Sequence, residues 1–197
     1  QFVSGHMRFF HVNRILDLKN HYCITMLRHP LDHLVSHIKW VLKVSEDIDS
    51  NFFKKHPENI KALSLKIRAI NWSNYKEVAQ FFQINNRTRL NLFNNCQTRY
   101  FLSHNFGELK EKDFQEAVRC MQNFDLIGKL EYEDVFMQEL SIGIKQAYQP
   151  LEKLNNNSNE SFIDLSNPQI FNLFIEQIQY DIKLYNSFDK VYKRTRN

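Results

Sequence analysis

Glycine and proline are both scarce, with four of each in 197 residues. Closely spaced tight turns need those residues, so their scarcity argues against an all-β fold and for long helices. Cysteine is nearly as rare. Cys23, Cys96 and Cys120 show neither metal-ligand spacing nor a disulfide framework, and a reducing compartment is the simpler reading. No run approaches the roughly 18 to 20 apolar residues of a membrane span, and no signal peptide is visible. A G-x-x-x-x-G-K-[ST] phosphate loop is also missing. The net charge of +4 suits an anionic ligand but is too small to argue for nucleic acid. There is no internal repeat.

What is present describes a globular protein: 43% apolar and 14% aromatic residues, with 17 Phe. We expect one domain over residues 1–197. Its organising stretch is His21 to Val44. Tyr22 to Leu27 is a short apolar run with a β-branched centre, the pattern of a buried strand. Pro30 sits where a first helical residue belongs, because its ring presets φ and its missing N–H is not needed there. Leu31, Leu34, Val35, Ile38, Val41 and Leu42 then recur at helical spacing, predicting a helix packed on the sheet. Arg28 falls at the carboxyl end of the strand, and Ser36 lies off the apolar stripe nearly two turns into the helix. Ligands of open α/β sheets bind beyond the strand ends, and a guanidinium near a helix N-terminus and a hydroxyl suits phosphate.

Further elements follow from periodicity. Arg8 to Lys19 reads as a short helix or turn, and the stripe Ile60, Leu63, Ile67, Ile70 marks a helix opened by His56-Pro57-Glu58. Helical patterns recur over Trp72 to Phe82, Lys110 to Gln122 and Glu131 to Tyr148. Phe124 to Leu130 is a second strand, and two strands joined through helices predict a parallel sheet whose other strands lie upstream. After the polar run Asn155 to Glu160, the stripe Phe171, Phe174, Ile178, Ile182, Tyr185, Phe188, Tyr192 predicts one long terminal helix with a basic end. Asn85 to Ser103 reads as a solvated loop and helix start. Its three Arg, amides and aromatics could also hold sulfate, sugar hydroxyls or a single strand of nucleic acid. His29, His33 and His37 recur every four residues; zinc is one account and solvent-facing histidines the simpler one, so no metal is expected.

Arg28-His29-Pro30-Leu31-Asp32-His33-Leu34-Val35-Ser36 resembles the R-x-P-x-x-R-x-x-S motif of carbohydrate sulfotransferases, with His33 at the usual second Arg. Asn94, Gln97, Thr98 and Arg99 match the family's N-x-Q-T-R-x-L form. Residues 124–131 (FDLIGKLE) resemble its F-D-x-V-G-x-x-E signature, and Asp181 to Tyr185 its D-x-x-L-Y pattern. The pieces occur in the family's order. The resemblance implies an α/β fold with a P-loop-like parallel sheet flanked by helices. It also implies a donor substrate, 3′-phosphoadenosine 5′-phosphosulfate (PAPS), and a carbohydrate acceptor. Arg28 and Ser36 would hold the donor's 3′-phosphate, and Arg99 would contact substrate. His6, in Gly5-His6, would be the general base, a role suited to imidazole because its pKa lies near neutrality. Gly5-His6-Met7 also reads as a cloning scar, and an ordinary histidine is the third reading.

The family's 5′-phosphosulfate loop precedes the Gly-His, whereas only five residues precede His6 here. We therefore expect either a chain lacking the N-terminal part of its sheet or a degenerate member that no longer catalyses. The expected function is sulfuryl transfer from PAPS without a metal. A non-catalytic nucleotide-binding protein and a helical protein-interaction domain are the alternatives. Composition leans toward a bacterial cytoplasm; a eukaryotic member would sit in the Golgi lumen.

Overall fold

The computed structural model describes residues 8–16, 20–103, 107–147 and 162–194. Helices α1 (Phe9–Ile15), α2 (Pro30–Val44), α3 (Asn51–Lys55), α4 (Glu58–Arg68), α5 (Tyr75–Phe82), α6 (Arg87–Phe93), α7 (Cys96–Tyr100), α8 (Glu111–Met121), α9 (Glu133–Ile144), α10 (Pro168–Gln177) and α11 (Gln179–Asn186) accompany three strands. The strands are β1 (Ile24–Leu27), β2 (Leu126–Lys129) and β3 (Val191–Lys193). Among the described residues the architecture is α/β and helix-rich, with one small mixed sheet in the order β1-β2-β3.

Contacts divide the chain into two units. One comprises Gln1–His29, Gln97–Leu154 and Tyr180–Asn197; the other comprises Pro30–Cys96 and Asn155–Gln179. The first unit holds the sheet. β1 and β2 run parallel with Ile24 opposite Leu126 and Leu27 opposite Lys129, while β3 is antiparallel to β2 with Tyr192 opposite Ile127. Leu27, Ile127, Phe101, Ala117, Met121, Phe124 and Leu184 share one hydrophobic cluster. Burying each large side chain there contributes about 1.5–3 kcal/mol relative to exposure. Asp125 fastens the strands at their entrance. Its N–H donates to Cys23 O (2.8 Å), and its Oδ2 accepts the Cys23 N–H (2.8 Å). Gly128 brings β2 against α9 so closely that a Cβ there would overlap the Phe136 ring.

The second unit is helical. α2 buries Leu34, Ile38, Val41 and Val44, one helical stripe, and packs on α4, which contributes Leu63 and Ile67. Trp72 is buried among Phe81, Phe162 and Phe174 and donates its indole N–H to Ile67 O (3.2 Å). Asparagine caps recur: Asn74, Asn86 and Asn167 each accept a first-turn N–H of α5, α6 and α10. Pro168 follows its cap at the start of α10, where proline's lost donor costs nothing.

The structure corrects four expectations. The third strand lies downstream, at Val191–Lys193, and is antiparallel. The terminal helix is broken: the Gln177 carbonyl accepts Asn95 N–H (2.8 Å), and Ile178 adopts φ −124°, so α10 ends and α11 begins. Within the basic end, Lys193 lies in β3 rather than at a helix terminus and pairs with Glu139 (2.9 Å). Residues 85–103, read as a loop and helix start, form α6 and α7. Phe2 and Val3, read as a strand end, lie outside the described residues.

Candidate functional site

The carboxyl ends of β1 and β2 lie side by side in the first unit, since Leu27 faces Lys129 across the parallel pair. Parallel strands present the residues that follow them on one side of the sheet, where ligands of α/β folds bind. Here those residues are Arg28 and His29 after β1, and Lys129 and Glu131 at and after β2.

Arg28 is held by its backbone. Its N–H donates to Gln97 Oε1 and its carbonyl accepts from Gln97 Nε2, each at 2.9 Å. One amide side chain thus matches both main-chain groups of the strand's last turn. The Arg28 guanidinium is half-buried and makes no hydrogen bond or ion pair among the described residues. Its position is therefore set without consuming its five donors.

Gln97 is itself fixed from behind. Asp181, buried in α11, accepts the N–H groups of Gln97 (3.2 Å) and Thr98 (2.7 Å) and the Thr98 hydroxyl (2.7 Å). Burial pushes the Asp181 carboxyl up to about 6, against the opposing pull of those donors and the nearby Arg99 charge. Arg99, which the resemblance puts on substrate, is only 1% exposed and donates to Gly107 O (2.9 Å). As placed it presents almost no surface to a ligand; its charge serves the Asp181 pocket.

Beside Arg28 runs a second chain of contacts. His29 N–H donates to Glu131 Oε1 (2.9 Å), and the Tyr185 hydroxyl donates to Glu131 Oε2 (2.9 Å). Lys129 Nζ stands 4.2 Å from the centre of the Tyr185 ring, and the His29 ring meets the same Tyr edge-on. Partial burial pushes the Glu131 carboxyl up, but its own backbone N–H, Tyr185 and His29 together outweigh that and hold it below the usual range. The segments that resemble the family's signatures, around Arg28, Gln97, Glu131 and Asp181 to Tyr185, are thus joined by hydrogen bonds.

Ser36 belongs to the second unit, half-buried on α2, and its hydroxyl makes no hydrogen bond among the described residues. His6 lies outside the described residues. The expectation of no metal rests on histidine spacing, yet the fold assembles a set that spacing does not reveal. His33, His37 and Cys96 each offer one ligand atom, all within 4.8 Å of one another. His29 is not among them. Sequence reasoning also missed Lys129, Glu131 and Tyr185 as neighbours of Arg28, although FDLIGKLE and Asp181 to Tyr185 had marked their segments.

Among the described residues no helix is long and apolar enough to cross a membrane. Compared with known proteins, the chain matches no family model, no curated protein and no solved structure.

Proposed function

We propose that this protein transfers a sulfuryl group from PAPS to a hydroxyl of a carbohydrate. The observation that carries the reading is the Gln97 clamp, which fixes the strand-end backbone and leaves the Arg28 guanidinium with no partner among the described residues. The order of the family-like segments, and the hydrogen bonds that join them in the first unit, support it further. On this reading β1 and β2 belong to a P-loop-like sheet, and Arg28 holds the donor's 3′-phosphate. The acceptor oxygen attacks sulfur in line. An S–O bond forms as the bond from sulfur to the bridging phosphate oxygen breaks, and the hydroxyl proton passes to His6.

Calorimetry with 3′-phosphoadenosine 5′-phosphate tests the donor site. One molecule should bind per chain, and Arg28→Ala should weaken binding by about 1.5–3 kcal/mol, the scale of a hydrogen bond to a charged group. A wild-type protein with no measurable affinity refutes the reading. His6→Ala should abolish sulfate transfer to glycan while donor affinity stays near wild type. Unchanged turnover in that variant would remove the proton-transfer role.

A further inference from the structure

We propose that His33, His37 and Cys96 bind a zinc ion, a site independent of the sulfuryl-transfer reading. His33 and His37 are one helical turn apart on α2, so both imidazoles leave the same face; their ring centres are 4.2 Å apart at 43°. Cys96, 59 residues beyond His37, reaches this pair from the start of α7, with its Sγ 3.8 Å from His37 Nδ1. All three residues belong to the second unit.

The donor set selects the metal. Two imidazoles and a thiolate suit zinc, and the absence of carboxylate or carbonyl donors from the set disfavours magnesium and calcium. Bonds of about 2.0–2.1 Å to nitrogen and 2.3 Å to sulfur place tetrahedral ligands about 3.3–3.6 Å apart. The observed separations of up to 4.8 Å need a closure of about 1 Å, within reach of side-chain rotation.

The surroundings prepare the site. His37 Nδ1 lies 3.1 Å from the Leu92 carbonyl and 3.8 Å from Cys96 Sγ, so this nitrogen exchanges its carbonyl contact for the metal when the site fills. Cys96 is 5% exposed, on a connector held by the Asn95 N–H to Gln177 O hydrogen bond. Asn95 takes the left-handed φ of 49° that asparagine tolerates. Binding replaces the thiol S–H by an S–Zn bond and releases one proton to solvent. Three protein ligands leave a fourth position for water.

The test uses the full chain stripped of metal and titrated with cobalt(II), then zinc. One equivalent should bind, with thiolate-to-cobalt charge-transfer absorption and d–d bands of tetrahedral intensity, and zinc should displace the cobalt. His33→Gln and Cys96→Ser should each weaken binding by more than the roughly 10–100-fold that loss of an outer contact costs. Cys96→Ser should also erase the charge-transfer band. Cys23→Ser and His29→Gln should leave the spectrum intact. Should Cys96→Ser fail to fold, half-exposed His33→Gln decides alone. No charge-transfer band in the wild type, or a titration unaltered by His33→Gln, overturns the proposal.

Discussion

Replacing Gln97 by alanine would remove both hydrogen bonds that seat the end of β1, the acceptor for Arg28 N–H and the donor to Arg28 O. Each is worth about 1 kcal/mol net, and a main-chain group left without water costs about 1–3 kcal/mol. Leu27 just before it is 2% exposed and Arg28 is half-buried, so the freed groups regain only part of their hydration. The expected loss is therefore about 2–4 kcal/mol, or about 1–2 M in the urea midpoint at a slope near 2 kcal/mol/M. Hydrogen exchange locates it: the Arg28 amide should lose protection while amides of α2 and α4 keep theirs. Gln97→Glu is the sharper variant. It keeps the acceptor but sets a carboxylate oxygen against the Arg28 carbonyl, so it should cost at least as much as alanine. On the proposed function, Gln97→Ala should also weaken nucleotide binding. A loss under about 0.5 kcal/mol with unchanged Arg28 exchange would refute the claim that this amide sets the guanidinium.

Gly128→Ala should cost about 1–3 kcal/mol by overpacking against Phe136, and adding Phe136→Leu should recover part of it in a double-mutant cycle; strict additivity would sink the argument. Asp181 has a folded-state pKa raised from 3.8 to about 6, so its contribution is fully present below pH 4 and is lost as pH rises through about 6. Urea melts between pH 4 and 7 should show wild type losing roughly 3 kcal/mol relative to Asp181→Asn over that window, and parallel profiles would contradict it. Burial, with the Glu116 charge, pushes the Cys120 thiol up to about 12. Cys120 should therefore resist alkylation at pH 8 in the native protein and react on unfolding; rapid native labelling would exclude that protonated state.

Much of the fold was legible because local periodicity and burial agree. β1 with α2, the α4 stripe, α8 and β2 all lie where apolar spacing and Pro30 put them. The errors share a cause: a tertiary hydrogen bond overrides a local pattern. Nothing in the stripe from Phe171 to Tyr192 shows that the Gln177 carbonyl will be taken by Asn95, so the aromatic spacing reads as one helix. β3 is three residues long and rests on a partner more than sixty positions earlier, beyond the reach of any window. At the candidate site, Arg28 is legible from its place after a strand. The task of Gln97 is not, because an amide amid Arg and Asn looks like a ligand contact until its backbone partner is seen. The His33, His37 and Cys96 set was hidden for the same reason, as its third member stands 59 positions away.

The parallel pair of Ile24 with Leu126 has a consequence for biogenesis. A ribosome adds about 5–20 residues per second, so the first strand waits about 5–20 s for its partner after emerging. Through that interval its backbone donors and acceptors are exposed with no neighbour, while the intervening α2, α4 and α5 can already form from nearby sequence. Slow translation or chaperone depletion should therefore injure the sheet-bearing half first, through strand-to-strand association of nascent chains.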